Sequence, residues 1–180
     1  METIALFGGS FDPPHVGHVA IARALLHFMD VNKVVIMPTY INPFKQKSHA
    51  PAVLRVAWLQ KIFSSYENVE IDDFEATHNQ KVSTIVSVNH LLKKYKRVYL
   101  IIGADNLSSL PMWDRYEELH KLVTIVVACR SKIDIPKKFL TLSIDENISS
   151  SELREHMDIS KLPKECAIEI SEYYKENHEK

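Results

Sequence analysis

A chain of 180 residues, 46% apolar and 25% charged, has the size and composition of one ordinary globular domain, long enough to build a core without disulfide or metal staples. A formal net charge of −1 and the lack of any membrane-length apolar run argue against nucleic-acid or membrane partners. Cys129 and Cys166 form no metal, redox or disulfide pattern, and the chain starts directly in an apolar segment with no signal-peptide pattern, so a cytoplasmic location is expected.

In chain order, Ile4–Phe7 is a short, unalternated apolar run, as a strand buried on both faces should be. After the turn Gly8–His18, the residues Val16, Ala20, Ile21, Ala24, Leu25 and Phe28 predict one apolar helical stripe. Val34–Met37 predicts a second strand. The polar segment from Pro38 to Pro51, with three prolines, Lys45 and Lys47, reads as a mobile loop over the site. Leu54, Ala57, Trp58 and Ile62 predict a second helix. Val69-Glu70-Ile71-Asp72 alternates, which fits a strand near an edge. Ile85, Val88, Leu91 and Leu92 predict a third helix, closed by the solvated basic turn Lys93, Lys94, Lys96 and Arg97, which complements a helix C-terminus. Strands follow at Val98–Ile102 and Leu122–Ala128, with a weaker one at Phe139–Leu142. A helical portion begins at about residue 149, where Ser149 and Glu152 fit a capping box, and the charged tail Glu172–Lys180 is expected to fray.

Strands alternating with helices imply an α/β fold: a mainly parallel sheet with right-handed crossovers and helices on both faces, in a single domain over residues 1–180. Ligands of such sheets gather at the carboxyl ends of the strands. Those ends hold Gly8–His18, Thr39–Lys47, Gly103–Asp105 and Cys129–Arg130.

The first of these is the most telling. A glycine-rich turn from strand to helix lets the backbone approach a phosphate, and the helix start attracts negative charge. His15 and His18, three residues apart, can share one face of that helix. They are open to three readings: zinc ligands, surface histidines beside a turn, or donors to phosphate oxygens as charge develops. The surrounding glycines and prolines favour the third, since no further Cys or His cluster completes a zinc site. Asp105 beside Gly103 could accept from ribose hydroxyls or cap the next turn, and Trp113 could be packing or a stacking surface.

Gly-Ser-Phe-Asp-Pro-Pro-His-x-Gly-His over residues 9–18 resembles the signature of the HxGH nucleotidyltransferases, and with Gly8 the full form is most similar to the bacterial nicotinate-nucleotide adenylyltransferases. The similarity continues through Ile101-Ile102-Gly103-Ala104-Asp105, Pro111-x-Trp113, Arg130 and Ile148-Ser149-Ser150-Ser151-x-x-Arg154, nearly end to end and in the family's order. It implies a Rossmann-like fold and adenylyl transfer from ATP to nicotinate mononucleotide, giving deamido-NAD and pyrophosphate by direct in-line displacement. By that resemblance, His15, His18, Lys45 and Arg154 stabilise phosphate charge. Gly8, Gly9, Ser10, Phe11, Gly103, Asp105, Arg130, Ser150 and Ser151 seat the nucleotide. Trp113 stacks on the nicotinate ring, and backbone amides around Thr84, Ile85 and Asp114 receive its carboxylate. Mg²⁺ is expected through the ATP phosphates, with no protein metal site.

Two positions depart from the family pattern: Phe44 stands where a loop histidine is usual, and Ser83 where a tyrosine is usual. Rival readings are an adenylyltransferase of the same superfamily acting on nicotinamide mononucleotide or phosphopantetheine, and a nucleotide sensor without turnover. Monomer and homo-oligomer are both left open.

Overall fold

The computed structural model describes residues 2–129 and 134–177. The predicted apolar runs become strands of one sheet: β1 (Thr3–Gly9), β2 (Lys33–Pro38), β3 (Val69–Ile71), β4 (Arg97–Gly103), β5 (Thr124–Cys129) and β6 (Leu140–Ser143). They lie in the order β3-β2-β1-β4-β5-β6, and every neighbouring pair is parallel. The alternating segment β3 is an edge strand, and all three of its residues are half-buried.

Unalternated runs are required here because both sheet faces are covered. Side chains of a strand point to opposite faces in turn. Ala5 and Phe7 of β1 therefore enter one core with Val34, Ile36, Val126 and Ala128, while Ile4 and Leu6 enter the other with Val35, Met37, Leu100 and Val127. The first core is closed by α1 (Val16–Phe28), α2 (Ala52–Ile62), α5 (Ser150–Glu155) and α6 (Ala167–Asn177); the second by α3 (Thr84–Leu92) and α4 (Tyr116–Leu122).

Several local expectations are corrected. Phe28, placed in the stripe of α1, is 72% exposed; it is the last residue of the helix, and no element covers it. Gly17, His18 and Ala22 take that buried face with Ile21 and Leu25. In α2 the stripe is displaced: Arg55 and Val56 are buried, whereas Leu54 and Ala57 are only half-buried. The segment expected to fray is helical as far as Asn177, because Tyr174 is buried and Tyr173 packs against Trp58 at 5.6 Å between ring centroids. Trp58 also donates to Glu169 at 3.1 Å, which ties α2 to α6. The capping box at Ser149 forms as expected, with Glu152 N–H donating to Ser149 Oγ and Ser149 N–H to Glu152 Oε2, each at 3.2 Å.

The register sets Gly9 of β1 beside Pro38 of β2, and Gly103 of β4 beside Ala128 of β5. The chain turns from β1 toward β2 on one side and continues to β4 on the other. The carboxyl ends of β1 and β4 thus flank the crevice where sheets of this topology bind ligands.

Candidate active site

A cavity of about 520 Å³ opens at that crevice. Its floor is the turn after β1. Gly8 and Gly9 carry no side chain, and a Cβ on Gly8 would meet only the Met37 carbonyl oxygen, at 3.9 Å, so ligand-sized space remains above the backbone. No glycine has a positive φ; the left-handed residue of the turn is Phe11, at φ 49°. Phe11 packs edge-on against His18 with 4.8 Å between centroids, which turns the chain back toward α1.

His15 precedes α1 in extended conformation and stacks on His18 at 3.7 Å. The His15 backbone N–H donates to His18 Nδ1 at 3.1 Å. A ring nitrogen that accepts carries no proton, so neutral His18 bears its hydrogen on Nε2. His18 lines the cavity, whereas His15 is 1% exposed and stands behind it. Gly17 makes this stack feasible, since a Cβ there would lie 3.0 Å from the His15 ring.

The turn is held from below by a polar cluster that the sequence reading did not single out. The Asp12 carboxylate is 3% exposed and accepts from the backbone N–H of His49 at 2.8 Å and of Ala50 at 2.9 Å, and from the Tyr174 hydroxyl. Burial alone would raise its pKa, but those hydrogen bonds and the nearby Arg55 charge hold it below its ordinary value. Arg55, fully buried, donates to three carbonyls: Ala50 at 3.0 Å, Ser10 at 2.5 Å and Tyr40 at 2.9 Å. One guanidinium thereby joins the β1 turn to both limbs of the 38–51 loop. From above, α5 reaches the same turn, with Ser150 Oγ donating to the Pro13 carbonyl at 2.8 Å and Arg154 to the Asp12 carbonyl.

The other lining residues come from β4, α3 and two loops. Asp105 lies beside Gly103, where a Cβ would collide with its carboxylate. Lys45 and Phe44 enter from the 38–51 loop, Thr84 from the start of α3, and Trp113 from the loop before α4. Ser83 is the N-cap of α3, and its side chain is used elsewhere: Ser83 Oγ donates to Asp114 at 2.7 Å. Of the residues singled out from the sequence, Gly8, Gly9, Ser10, Phe11, His18, Lys45, Thr84, Gly103, Asp105, Trp113, Ser150 and Arg154 meet at the cavity. His15, Ile85, Asp114 and Ser151 are not on its wall, and Arg130 lies outside the described residues.

Glu75, also missed, lines the cavity while 7% exposed, and accepts from Ser87 Oγ at 2.5 Å. Burial pushes its pKa up from 4.5 to about 7, aided by Asp72 and opposed by Ser87 and His78. The native chain then keeps a proton that the unfolded chain releases between those values, so stability falls as pH rises through that window. A shift of this size is worth on the order of 3 kcal/mol. Thermal melts from pH 5 to 8 should show this decline in the native chain and a flatter profile in Glu75→Gln, which keeps an acceptor for Ser87. Equal slopes would refute it.

Among the described residues, no group of three His, Cys, Asp or Glu side chains is arranged to hold a metal ion, and no helix is long and apolar enough to cross a membrane. Of the lining carboxylates Asp12, Glu75 and Asp105, the first two are already engaged in hydrogen bonds, which leaves too few for a protein cage. The donor set fits a Mg²⁺ that is carried by the phosphates and water of a nucleotide rather than by a protein cage.

The cytidylyltransferase-like family model matches residues 6–156. A Sulfurimonas denitrificans protein described as a probable nicotinate-nucleotide adenylyltransferase is 56% identical over 99% of this chain and 98% of its own. The chain belongs to the nicotinate-nucleotide adenylyltransferase family. A Nitratiruptor relative of the same description is 45% identical over 96% of this chain and 98% of its own. Among solved structures, Plasmodium falciparum nicotinic acid mononucleotide adenylyltransferase complexed with NaAD shares the fold, with a TM-score of 0.78 at 19% identity over 99% of this chain and 98% of that one. The all-parallel sheet and the cavity at the ends of β1 and β4 are thus the architecture of this nicotinate-nucleotide adenylyltransferase family member.

Proposed function

We propose that this chain catalyses adenylyl transfer from ATP to nicotinate mononucleotide, as a single nucleotidyltransferase domain. One observation carries the reading: a single cavity joins phosphate donors, His18, Lys45 and Arg154, to a planar-ring surface, Trp113, across the ends of β1 and β4. The shared packing of Ile170 and Tyr174 with β1 residues supports the single-domain reading.

A phosphate oxygen of the mononucleotide attacks the α-phosphorus of ATP, the bond to the bridging oxygen breaks, and pyrophosphate leaves. The attacking phosphate has a second pKa of about 6 and is mostly ionised at neutral pH, so no side chain needs to take a proton. What remains is alignment and charge neutralisation. His18 Nε2–H donates to a phosphoryl oxygen, backed by the His15 ring. Lys45 and Arg154 balance the triphosphate, and Ser150, whose hydroxyl is held on the Pro13 carbonyl, fixes the start of α5 against the turn. Mg²⁺ bound to the ATP phosphates supplies further neutralisation. Gly8, Gly9 and Ser10 leave the backbone open to the nucleotide, Asp105 accepts from ribose, and Trp113 and Thr84 face the pyridine. The reading gives the chain small-molecule partners, ATP and nicotinate mononucleotide, and a cytoplasmic setting.

Pyrophosphate release is the test, with nicotinate mononucleotide, nicotinamide mononucleotide and phosphopantetheine offered separately beside ATP and Mg²⁺. Turnover with the first alone is expected. Preference for the amide would overturn the pyridine assignment, and no release with any acceptor would overturn the enzymatic one.

A further inference from the structure

Phe44 is 57% exposed, yet it lines the cavity. A large apolar side chain in that position, at the tip of a polar loop, asks for an occupant. Its ring lies 6.5 Å from the Trp113 ring between centroids, with 37° between the planes. Van der Waals contact between stacked carbons needs about 3.5 Å, so this spacing is close to twice one stacking distance. The Trp113 indole Nε1 has no hydrogen-bond partner among the described residues, so packing rather than a polar bond orients that ring.

Phe44 is also held in place. Its N–H donates to Asn42 Oδ1 at 2.9 Å, and the Lys45 N–H donates to the Asn42 carbonyl, also at 2.9 Å, closing a turn around it. Lys81, just ahead of α3, donates to the Pro43 carbonyl at 3.2 Å. The loop tip is thus tied to the same region that carries Thr84.

We propose that Phe44 and Trp113 form a two-sided aromatic clamp that takes the pyridine ring of the mononucleotide between them, making Phe44 a specificity-determining residue for that substrate. The inference rests on the function proposed above. A pyridine glycosylated at its ring nitrogen is quaternary and positively charged, and aromatic faces attract such cations. An imidazole in place of Phe44 offers a weaker face and, when protonated, repels the ring. The neutral adenine of ATP gains no such term, so the clamp acts on one substrate of the two.

Steady-state kinetics of Phe44→Leu and Phe44→Tyr test this. Leucine keeps an apolar side chain but loses the π face, and is expected to raise KM for nicotinate mononucleotide about three- to tenfold with KM for ATP unchanged. Tyrosine keeps the face and should stay within about twofold of the native value. A rise for ATP alone, an equal rise for both substrates, or no rise would overturn the clamp. Tryptophan fluorescence separates this from failure of the proposed reaction. Nicotinate mononucleotide added without ATP should quench Trp113, while Trp58, sealed in the core, stays silent; Trp113→Phe should abolish the quench. If the native chain released no pyrophosphate but its quench weakened in Phe44→Leu, the reaction would fall and the clamp would stand. No quench in the native chain would overturn the clamp.

Discussion

Alanine at His18 is expected to lower kcat for pyrophosphate release about a hundred- to a thousand-fold, the usual effect of removing one preorganised donor from a site where charge develops. The proposed mechanism makes His18 such a donor, and its geometry suits that role. Its Nδ1 is occupied by the His15 N–H at 3.1 Å, its ring is backed by His15 at 3.7 Å, and it lies on the cavity wall. A ring fixed on two sides does not reorganise as the α-phosphoryl group passes from ATP to its acceptor. Affinity for ATP, measured by titration, should weaken by less than about tenfold, because in the proposed mechanism Lys45, Arg154 and the open glycine turn still hold the phosphates in the ground state. His18→Gln, whose side-chain amide reaches about as far as Nε2, should recover part of the loss. If ATP affinity fell as far as kcat/KM, His18 would be a binding group and the transition-state role would be refuted.

Arg55→Ala should be the most destabilising single change in the chain, by about 3–5 kcal/mol, the range seen when one member of a buried charged network is removed. For a chain of this length that is a fall in Tm of roughly 10 °C. Three carbonyls, those of Ser10, Tyr40 and Ala50, lose their donor at once. Asp12 loses its nearby positive charge while still buried. Burial lowers the Arg55 pKa, with Asp12 and Tyr174 acting against that. Arg55→Lys should rescue little, since a single ammonium cannot span three acceptors in a planar fork. A melt showing a fall of under about 2 °C would refute the hub.

The strands were legible because a parallel sheet covered on both faces demands unbroken apolar runs, and β1, β2, β4 and β5 supply them. The cavity-lining turn was legible because its glycines and histidines are close together in sequence. Arg55 was not, because an arginine within Leu54–Trp58 looks like the polar side of a helix until its three acceptors, in the β1 turn and the two limbs of the 38–51 loop, are in place. Glu75 and Tyr174 were hidden for the same reason: their partners Ser87 and Asp12 lie 12 and 162 residues away. Apolar periodicity also misplaced Phe28, since a repeating pattern does not reveal where a helix outruns its cover.

The hydroxyl of Tyr174 on Asp12 has a consequence for how the protein comes into being on a ribosome. Asp12, in the glycine–histidine turn, emerges 162 residues ahead of the α6 tyrosine that supports its buried carboxylate. Until α6 has left the exit tunnel, Asp12 lacks that donor, and one of the four helices that close that face of the sheet is missing. The nascent chain therefore carries both histidines long before the turn that holds them is fully supported, and the cavity matures only once α6 is in place.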